Sequence, residues 1–427
     1  MFRVRLLFGV PLVIGLIGIA GTDTRAGGFY VREQSTSALA TAMAGAAAQG
    51  PDASHMYYNP ATILDAGVSQ LTVDVRGFFP NAEISAQNAT SPFVLGSQNI
   101  TGLGGSGEMT DPAAAPALYA TQLISKDLAF GIGISAPFNV VIESDPQWAG
   151  EFQLVQTDMR TVNINPVLAY RVAPWMDVAV GFQLQRFETE LRKVEALPVA
   201  FLPNGTPIAF APILGFVKGH GYGYGYNAGV LLRPTDTVSV GLSYRSHVEH
   251  RLRGSAGAFQ AGIPTDGAKF NVTTPDVATL ALKAKLTQKL TFLAQAEWSG
   301  WSRFEGFRFR FDSGRPDEVR EQEWRDTWFG AVGFSYQVSD ATAVSVGASY
   351  DQAAAQSADN TLAPDGDRTL VSAGVSHSID GGPVLRLSYA HMFIKDASID
   401  VTNASGTLVG TLESDLDIVG VSATWSW

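Results

Sequence analysis

A chain of 427 residues that is 46% hydrophobic, only 16% charged, free of cysteine and carries a formal charge of −11 excludes several classes at once. No basic stripe is available to neutralise phosphates, so nucleic acid is not expected as a partner, and no disulfide framework can hold the fold. The charged fraction falls below the ~25% usual in soluble domains, while 44 glycines, 24 phenylalanines and 12 tyrosines point to strands with aromatic belts.

In chain order, Arg3 and Arg5 precede an apolar run from Leu6 to Ala20, and Thr24-Arg25-Ala26 offers small residues for cleavage before Gly27. Residues 1–26 are therefore expected to be a secretory signal peptide. Pro11, Gly9, Gly15 and Gly18 leave the run short of the ~20 residues a retained spanning helix needs. No later run reaches that length, which excludes a helical membrane protein.

Residues 27–67 lack strand alternation. Ser35-Thr36-Ser37 supply hydroxyl caps for an alanine-rich, helix-prone run from Ala38 to Ala48, and Asn59-Pro60-Ala61 turn the chain afterwards. Small residues and low charge make this segment a plug for a lumen rather than a periplasmic tail.

Residues 68–427 alternate with period two. Val419, Val421, Ala423, Trp425 and Trp427 share one face, with Gly420, Ser422, Thr424 and Ser426 on the other. The same split recurs in Val238, Val240, Leu242 and Tyr244, and in Val344, Val346, Ala348 and Tyr350. One face meets a greasy medium and the other a polar one. Fourteen such strands are predicted, at 69–80, 115–125, 127–143, 158–173, 175–193, 219–234, 236–254, 273–286, 288–303, 324–337, 341–351, 367–379, 383–398 and 412–427. Short turns at Ser125-Lys126, Pro174, Thr235, Thr287, Ser339-Asp340 and Asp380–Gly382 alternate with connections of about a dozen residues or more. An even strand count with turns short on one side and long on the other describes an outer-membrane barrel. The expectation is an all-β membrane protein, a 14-stranded antiparallel transmembrane barrel with a small N-terminal luminal plug. The aromatic C-terminus, Trp425-Ser426-Trp427, resembles the signal read by the barrel-insertion machinery.

Ser35-Thr36-Ser37-Ala38-Leu39-Ala40, Asp52-Ala53-Ser54, Asn59-Pro60-Ala61, Val162-Asn163-Ile164-Asn165-Pro166, Tyr224-Gly225-Tyr226-Asn227-Ala228-Gly229, Trp298-Ser299-Gly300-Trp301-Ser302-Arg303-Phe304 and Pro364-Asp365-Gly366-Asp367-Arg368 follow one another in an order and spacing that resemble the FadL and TodX family of transporters for hydrophobic compounds. The resemblance covers essentially the whole mature chain. It implies a plugged monomeric barrel, seated in outer-membrane lipid and lipopolysaccharide, that captures a long-chain fatty acid or other hydrophobic ligand at its outer loops and releases it sideways into the bilayer. No cofactor or metal is implied.

Three features bear on that scheme. The stretch between Val194 and Lys218 is apolar where an outer loop should be polar: Leu197, Phe201, Leu202, Phe210, Ile213, Leu214 and Phe216 crowd it, with Phe259 and Ile263 in the next long loop. Such a patch marks a capture surface or a self-packed cap. Pro137, between Ala136 and Phe138, has no N–H for the ladder and so requires a bulge or a gap in the wall; the family resemblance implies an inward kink that opens the wall here. The resemblance also sets Lys193 and Arg320 where family members hold a carboxylate, with Arg192 beside Lys193 as a substitute. Charged head groups entering an apolar pocket need such partners, although Glu190, Glu195 and Glu321 nearby would also suit ordinary solvated loop charges.

Two other classes compete. A lipid hydrolase would need a Ser–His arrangement, and none of His55, His220, His247, His250, His377 and His391 belongs to a recognisable motif; no enzyme is expected. A general diffusion porin would want charged strand faces rather than serine, glycine and a plug. Among ligands, aromatic hydrocarbons and alkanes would fit an apolar cleft as well as fatty acids do.

Overall fold

The computed structural model describes residues 28–102, 107–109, 111–144, 147–260, 264–355 and 365–427. The signal peptide expected at residues 1–26 and the capture residue Ile263 lie outside them.

Fourteen antiparallel strands form one closed sheet. They are Gln70–Thr90, Ala113–Ser125, a third made of Leu128–Ser135 and Val140–Glu143, Gln156–Ala173, Met176–Phe201, Pro207–Thr235, a seventh made of Val238–Arg245 and Glu249–Ala258, an eighth made of Asp266–Thr273 and Val277–Lys285, then Leu290–Ser299, Thr327–Gln337, Thr342–Asp351, Arg368–Ser378, Val384–Asn403 and Gly406–Ser426. The first strand pairs with the last from Gln70–Ser426 to Thr90–Thr407, which closes the wall and removes both edges. Alternation places the side chains as expected: Val421, Trp425, Val346 and Tyr350 are exposed on the outside, whereas Ser422, Thr424 and Ser349 are buried inside.

The strand count agrees with the sequence reading, but several outer connections do not. Residues 194–218, expected to be a loop, continue the fifth and sixth strands as a tall hairpin that turns at 202–206. The alternation was present at Ile208, Phe210, Pro212, Leu214 and Phe216, masked by the apolar side chains between them. Residues 399–411 likewise extend the last two strands and turn at 404–405. A further hairpin, Gly306–Phe311 with Glu318–Glu321, stands above the ninth and tenth strands.

Residues 28–67 run inside the barrel and touch strands around its circumference. The long helix expected from Ala38 to Ala48 does not form. Ser35 caps a single turn, Thr36–Leu39, by accepting from the Ala38 N–H, after which Ala42 and Met43 adopt positive φ of 52° and 65°. A straight eleven-residue helix of roughly 16 Å would leave this segment's backbone away from the wall; the observed turns instead press it against inward glycines. A Cβ on Gly241 would lie 1.8 Å from the Ala47 carbonyl oxygen, and one on Gly347 would lie 2.2 Å from the Thr41 backbone. Charge fixes the segment as well. Arg32 donates to Glu297 at 2.7 Å and to Asp351 at 2.5 Å, and Arg386 sits 3.4 Å from Asp52.

Candidate functional site

The third strand is interrupted where Pro137 required it. Its ladder with the second strand ends at Leu118–Ile134, and its ladder with the fourth runs to Ser135–Asn163 and resumes at Val140–Met159. Between them the backbone turns inward and finds other partners. The Gln34 amide donates to the Ala136 carbonyl at 3.0 Å and accepts from its N–H at 3.2 Å. Val31 N–H donates to the Pro137 carbonyl at 2.8 Å, and Asn139 N–H donates to the Phe29 carbonyl at 3.0 Å. Phe138 N–H donates to Thr161 Oγ1 at 2.9 Å. The start of the luminal segment thus substitutes for the missing strand partner, which keeps buried peptide groups satisfied without closing the wall.

Phe138 consequently points into the lumen, 2% exposed, stacked on Tyr30 at 5.1 Å between centroids. Phe29 lies beside it, edge-on to Phe138 at 6.0 Å, Phe187 at 6.2 Å and Trp301 at 4.9 Å, with Phe304 and Trp324 completing the cluster. The sequence reading did not single out Phe29, Trp301 or Phe304 as lining residues. Their signal was the dense aromatic spacing of Trp298, Trp301 and Phe304, which strand alternation does not explain because Trp301–Arg303 is a short helical turn.

Above this cluster the structure brings Lys193 and Arg320 together around one carboxylate. Glu318 accepts from Lys193 at 3.4 Å and from Arg320 at 2.8 Å, and Glu195 lies 3.8 Å from Lys193. Burial raises the Glu318 carboxyl, but Arg320 and Lys193 outweigh it and hold the group at about 2. Burial, then the neighbouring Arg320, lowers Lys193. These residues belong to the outer extension of the fifth strand and the added hairpin, beyond the membrane-spanning part. Arg192, read as a substitute for Lys193, is its neighbour on an alternating strand and pairs with Glu190 at 2.7 Å and the Phe259 ring at 4.9 Å instead. It does not join the pair.

The apolar residues of the tall hairpin divide. Phe201, Leu202 and Ile208 are exposed, as is Phe259; Leu197, Phe210, Leu214 and Phe216 are half-buried and Ile213 is buried. Phe216 and Phe259 pack at 4.8 Å, linking the two apolar stretches that the sequence reading paired.

Asn59 is completely buried. Its Oδ1 accepts from Ala61 N–H at 3.0 Å, and its Nδ2 donates to the carbonyls of Ala47 at 2.8 Å and Val230 at 3.0 Å. Pro60 opens the short helical turn Pro60–Leu64. Asn59 therefore ties the luminal segment to itself and to the sixth strand.

Among the described residues there is one Ser–His contact: Ser37 Oγ lies 3.0 Å from His55 Nε2. The ring's Nδ1 faces the Ala46 carbonyl at 2.8 Å, and the imidazole is fully buried, so no substrate can reach it. His247 lies within a strand interruption, exposed beside Asp276 at 3.0 Å, and His250 in the strand segment that follows it, buried. Among the described residues no group of three potential ligands could hold a metal.

The model of the outer membrane protein transport protein family (OMPP1/FadL/TodX) matches residues 17–427. Among relatives, a putative outer membrane protein of Neisseria meningitidis is 27% identical over 96% of each chain, and a long-chain fatty acid transport protein of Salmonella typhi is 24% identical over 93% of this chain and 91% of its own. The crystal structure of a Pseudomonas aeruginosa FadL homologue superposes with a TM-score of 0.84 at 22% identity, covering 93% of this chain and 99% of that one. The Pseudomonas putida toluene transporter TodX gives 0.67 at 12% identity, covering 95% and 99%. A plugged, closed barrel of this strand count, matched along nearly its whole length, is an outer-membrane, non-enzymatic channel for hydrophobic compounds: the chain belongs to the OMPP1/FadL/TodX family.

Proposed function

We propose that the channel carries long-chain amphiphiles, fatty acids foremost, from the exposed apolar tips of the tall hairpin, past Lys193 and Arg320, to the interruption at Ala136–Phe138 and out into the bilayer. The observation that carries this reading is the unpaired wall above Leu118–Ile134, reached directly from the inward aromatic cluster. A solute that gains roughly 25 cal/mol per Å2 on leaving water would lose it again in the periplasm, and lateral exit avoids that cost. In this reading Lys193 and Arg320 receive the ligand carboxylate, with Glu318 moving aside, and the luminal segment 28–67 keeps water from crossing. The similarity to a long-chain fatty acid transport protein supports this ligand class. Transport of aromatic hydrocarbons is the second reading, supported by the five rings clustered around Phe29.

The test seals the wall. Continuing the register past Leu118–Ile134 would set Pro116 opposite Ala136, and the chain has no native cysteine. Cysteines at these positions, joined by a short bis-methanethiosulfonate crosslinker, should abolish palmitate uptake by cells while leaving equilibrium binding intact. Uptake unchanged after verified crosslinking would reject lateral exit.

A further inference from the structure

Asn163 and Gln185 are register partners on the inward faces of the fourth and fifth strands. Both are completely buried, and all four of their side-chain nitrogen and oxygen atoms lack a hydrogen-bond partner. Facing amides ordinarily bond to each other, and leaving them unpaired inside a protein is costly. One pleat below, the same chemistry is satisfied: Asn165 and Asn227 bond at 3.0 and 3.2 Å, and Arg245 donates to Gln183. One pleat above, Thr161 Oγ1 is engaged with the Phe138 N–H and carbonyl, each at 2.9 Å, opposite the apolar Phe187. The unpaired amides therefore belong to one level of the lumen.

That level is the lower lip of the wall interruption. Asn163 is the partner of Ser135, the last residue before the strand breaks. Gln185 faces Gly223, where a Cβ would lie 3.0 Å from His250 Cδ2. His250 packs on Phe187 at 5.2 Å. Lys193 sits on the same face as Gln185 eight residues up the fifth strand, roughly 26 Å away, with the buried Phe187 and Leu191 between them.

We propose that the Asn163–Gln185 pair is a head-group site for the uncharged hydrogen-bonding end, a hydroxyl, ester, amide or protonated carboxyl, of a long-chain amphiphile at the threshold of the lateral exit. This rests on the channel reading above and adds to it the ligand's chemical state. Two amides present donors and acceptors together, so a hydroxyl can both give and receive a bond there. A carboxylate anion would be buried without a cation, since Arg245 is already engaged with Gln183 and the Tyr57 carbonyl. Anionic heads are served at Lys193 and Arg320, on the outer side.

The test compares binding of 1-hexadecanol, hexadecyl methyl ether, hexadecane and, at pH 8, palmitate to the purified full-length protein, with Asn163→Leu/Gln185→Met as the variant and heat-modifiability as the check on its fold. The wild type should bind the alcohol about tenfold or more tightly than the alkane, with the acceptor-only ether between them. The variant should bring alcohol and alkane within about twofold by weakening the alcohol alone. Equal alcohol and alkane binding in the wild type, a preference that survives in the variant, or palmitate anion binding that depends on the amides as strongly as the alcohol does would overturn the proposal. The wild-type ranking decides by itself if the variant does not fold. Failure of lateral exit shows separately, as uptake that persists through the crosslinked wall while the alcohol preference is intact.

Discussion

The two sides of this barrel are built from the same alternating chemistry and differ in continuity. From the ninth to the twelfth strand each element is ten or eleven residues long and unbroken, with registers that run without a shift. From the third to the eighth, three strands are interrupted and two extend far above the membrane. Every interruption in a ladder frees peptide groups, and here they are taken up by plug backbone, by Gln34, or by side chains such as Thr161, Thr274 and Asp276. Closure of the sheet thus requires only alternation, whereas a path through it requires substitute partners concentrated on one side.

If that contrast is correct, the largest effect should come from removing the charge that ties the two sides together through the plug. Arg32→Met leaves Glu297 and Asp351 buried without their shared cation, a loss of ~3–5 kcal/mol. The barrel should stay heat-modifiable while residues 28–67 become protease-sensitive and single-channel conductance in planar bilayers rises. An unaltered conductance would show that the ion pairs do not hold the plug.

A smaller effect separates glycines that receive the plug from glycines that face outward. Gly241→Val would collide with the Ala47 carbonyl, whereas nothing lies within 4 Å of a Cβ on Gly330. Thermal unfolding should show a loss of ~1–3 kcal/mol for the first and less than ~0.5 kcal/mol for Gly330→Ala. Equal losses would mean that strand regularity rather than plug contact decides.

The smallest effect concerns the outer hairpin. Because the folded Glu318 carboxyl lies near 2, below its ordinary value of 4.5, its contribution is complete above that ordinary value and is lost as pH falls toward 2. Hydrogen exchange of residues 306–321 should be equally slow, after correction for intrinsic rates, from pH 6 to 8 and faster at pH 3. Loosening between pH 8 and 6 would point to a different anchor.

The candidate site was partly legible. Pro137 announced the interruption because a missing N–H is a property of the residue itself, and Asn59-Pro60-Ala61 announced a turn for the same kind of local reason. Lys193 and Arg320, 127 positions apart in the chain, came only through the family resemblance; their meeting at Glu318 depends on a hairpin whose position nothing local specifies. Arg192 does not reach Glu318 because adjacency in sequence puts two side chains on opposite faces of a strand, and it pairs with Glu190 instead. The interruptions in the seventh and eighth strands were missed, since Ser246–Val248 and Thr274–Asp276 contain no proline and are held by a cross-strand network around Asp276.

Sequence by itself determined the strand number, the inward and outward faces and the closed sheet, because period-two alternation and turn residues act over a few positions and a membrane leaves an open edge no partner. Only the tertiary structure decided that the alanine-rich segment winds rather than forms a helix, that inward glycines receive it, and that Asn163 and Gln185 stand unpaired beside the break. Those outcomes follow from which side chains share the lumen at one level, a relation set by register and closure across the whole circumference rather than by any stretch of chain.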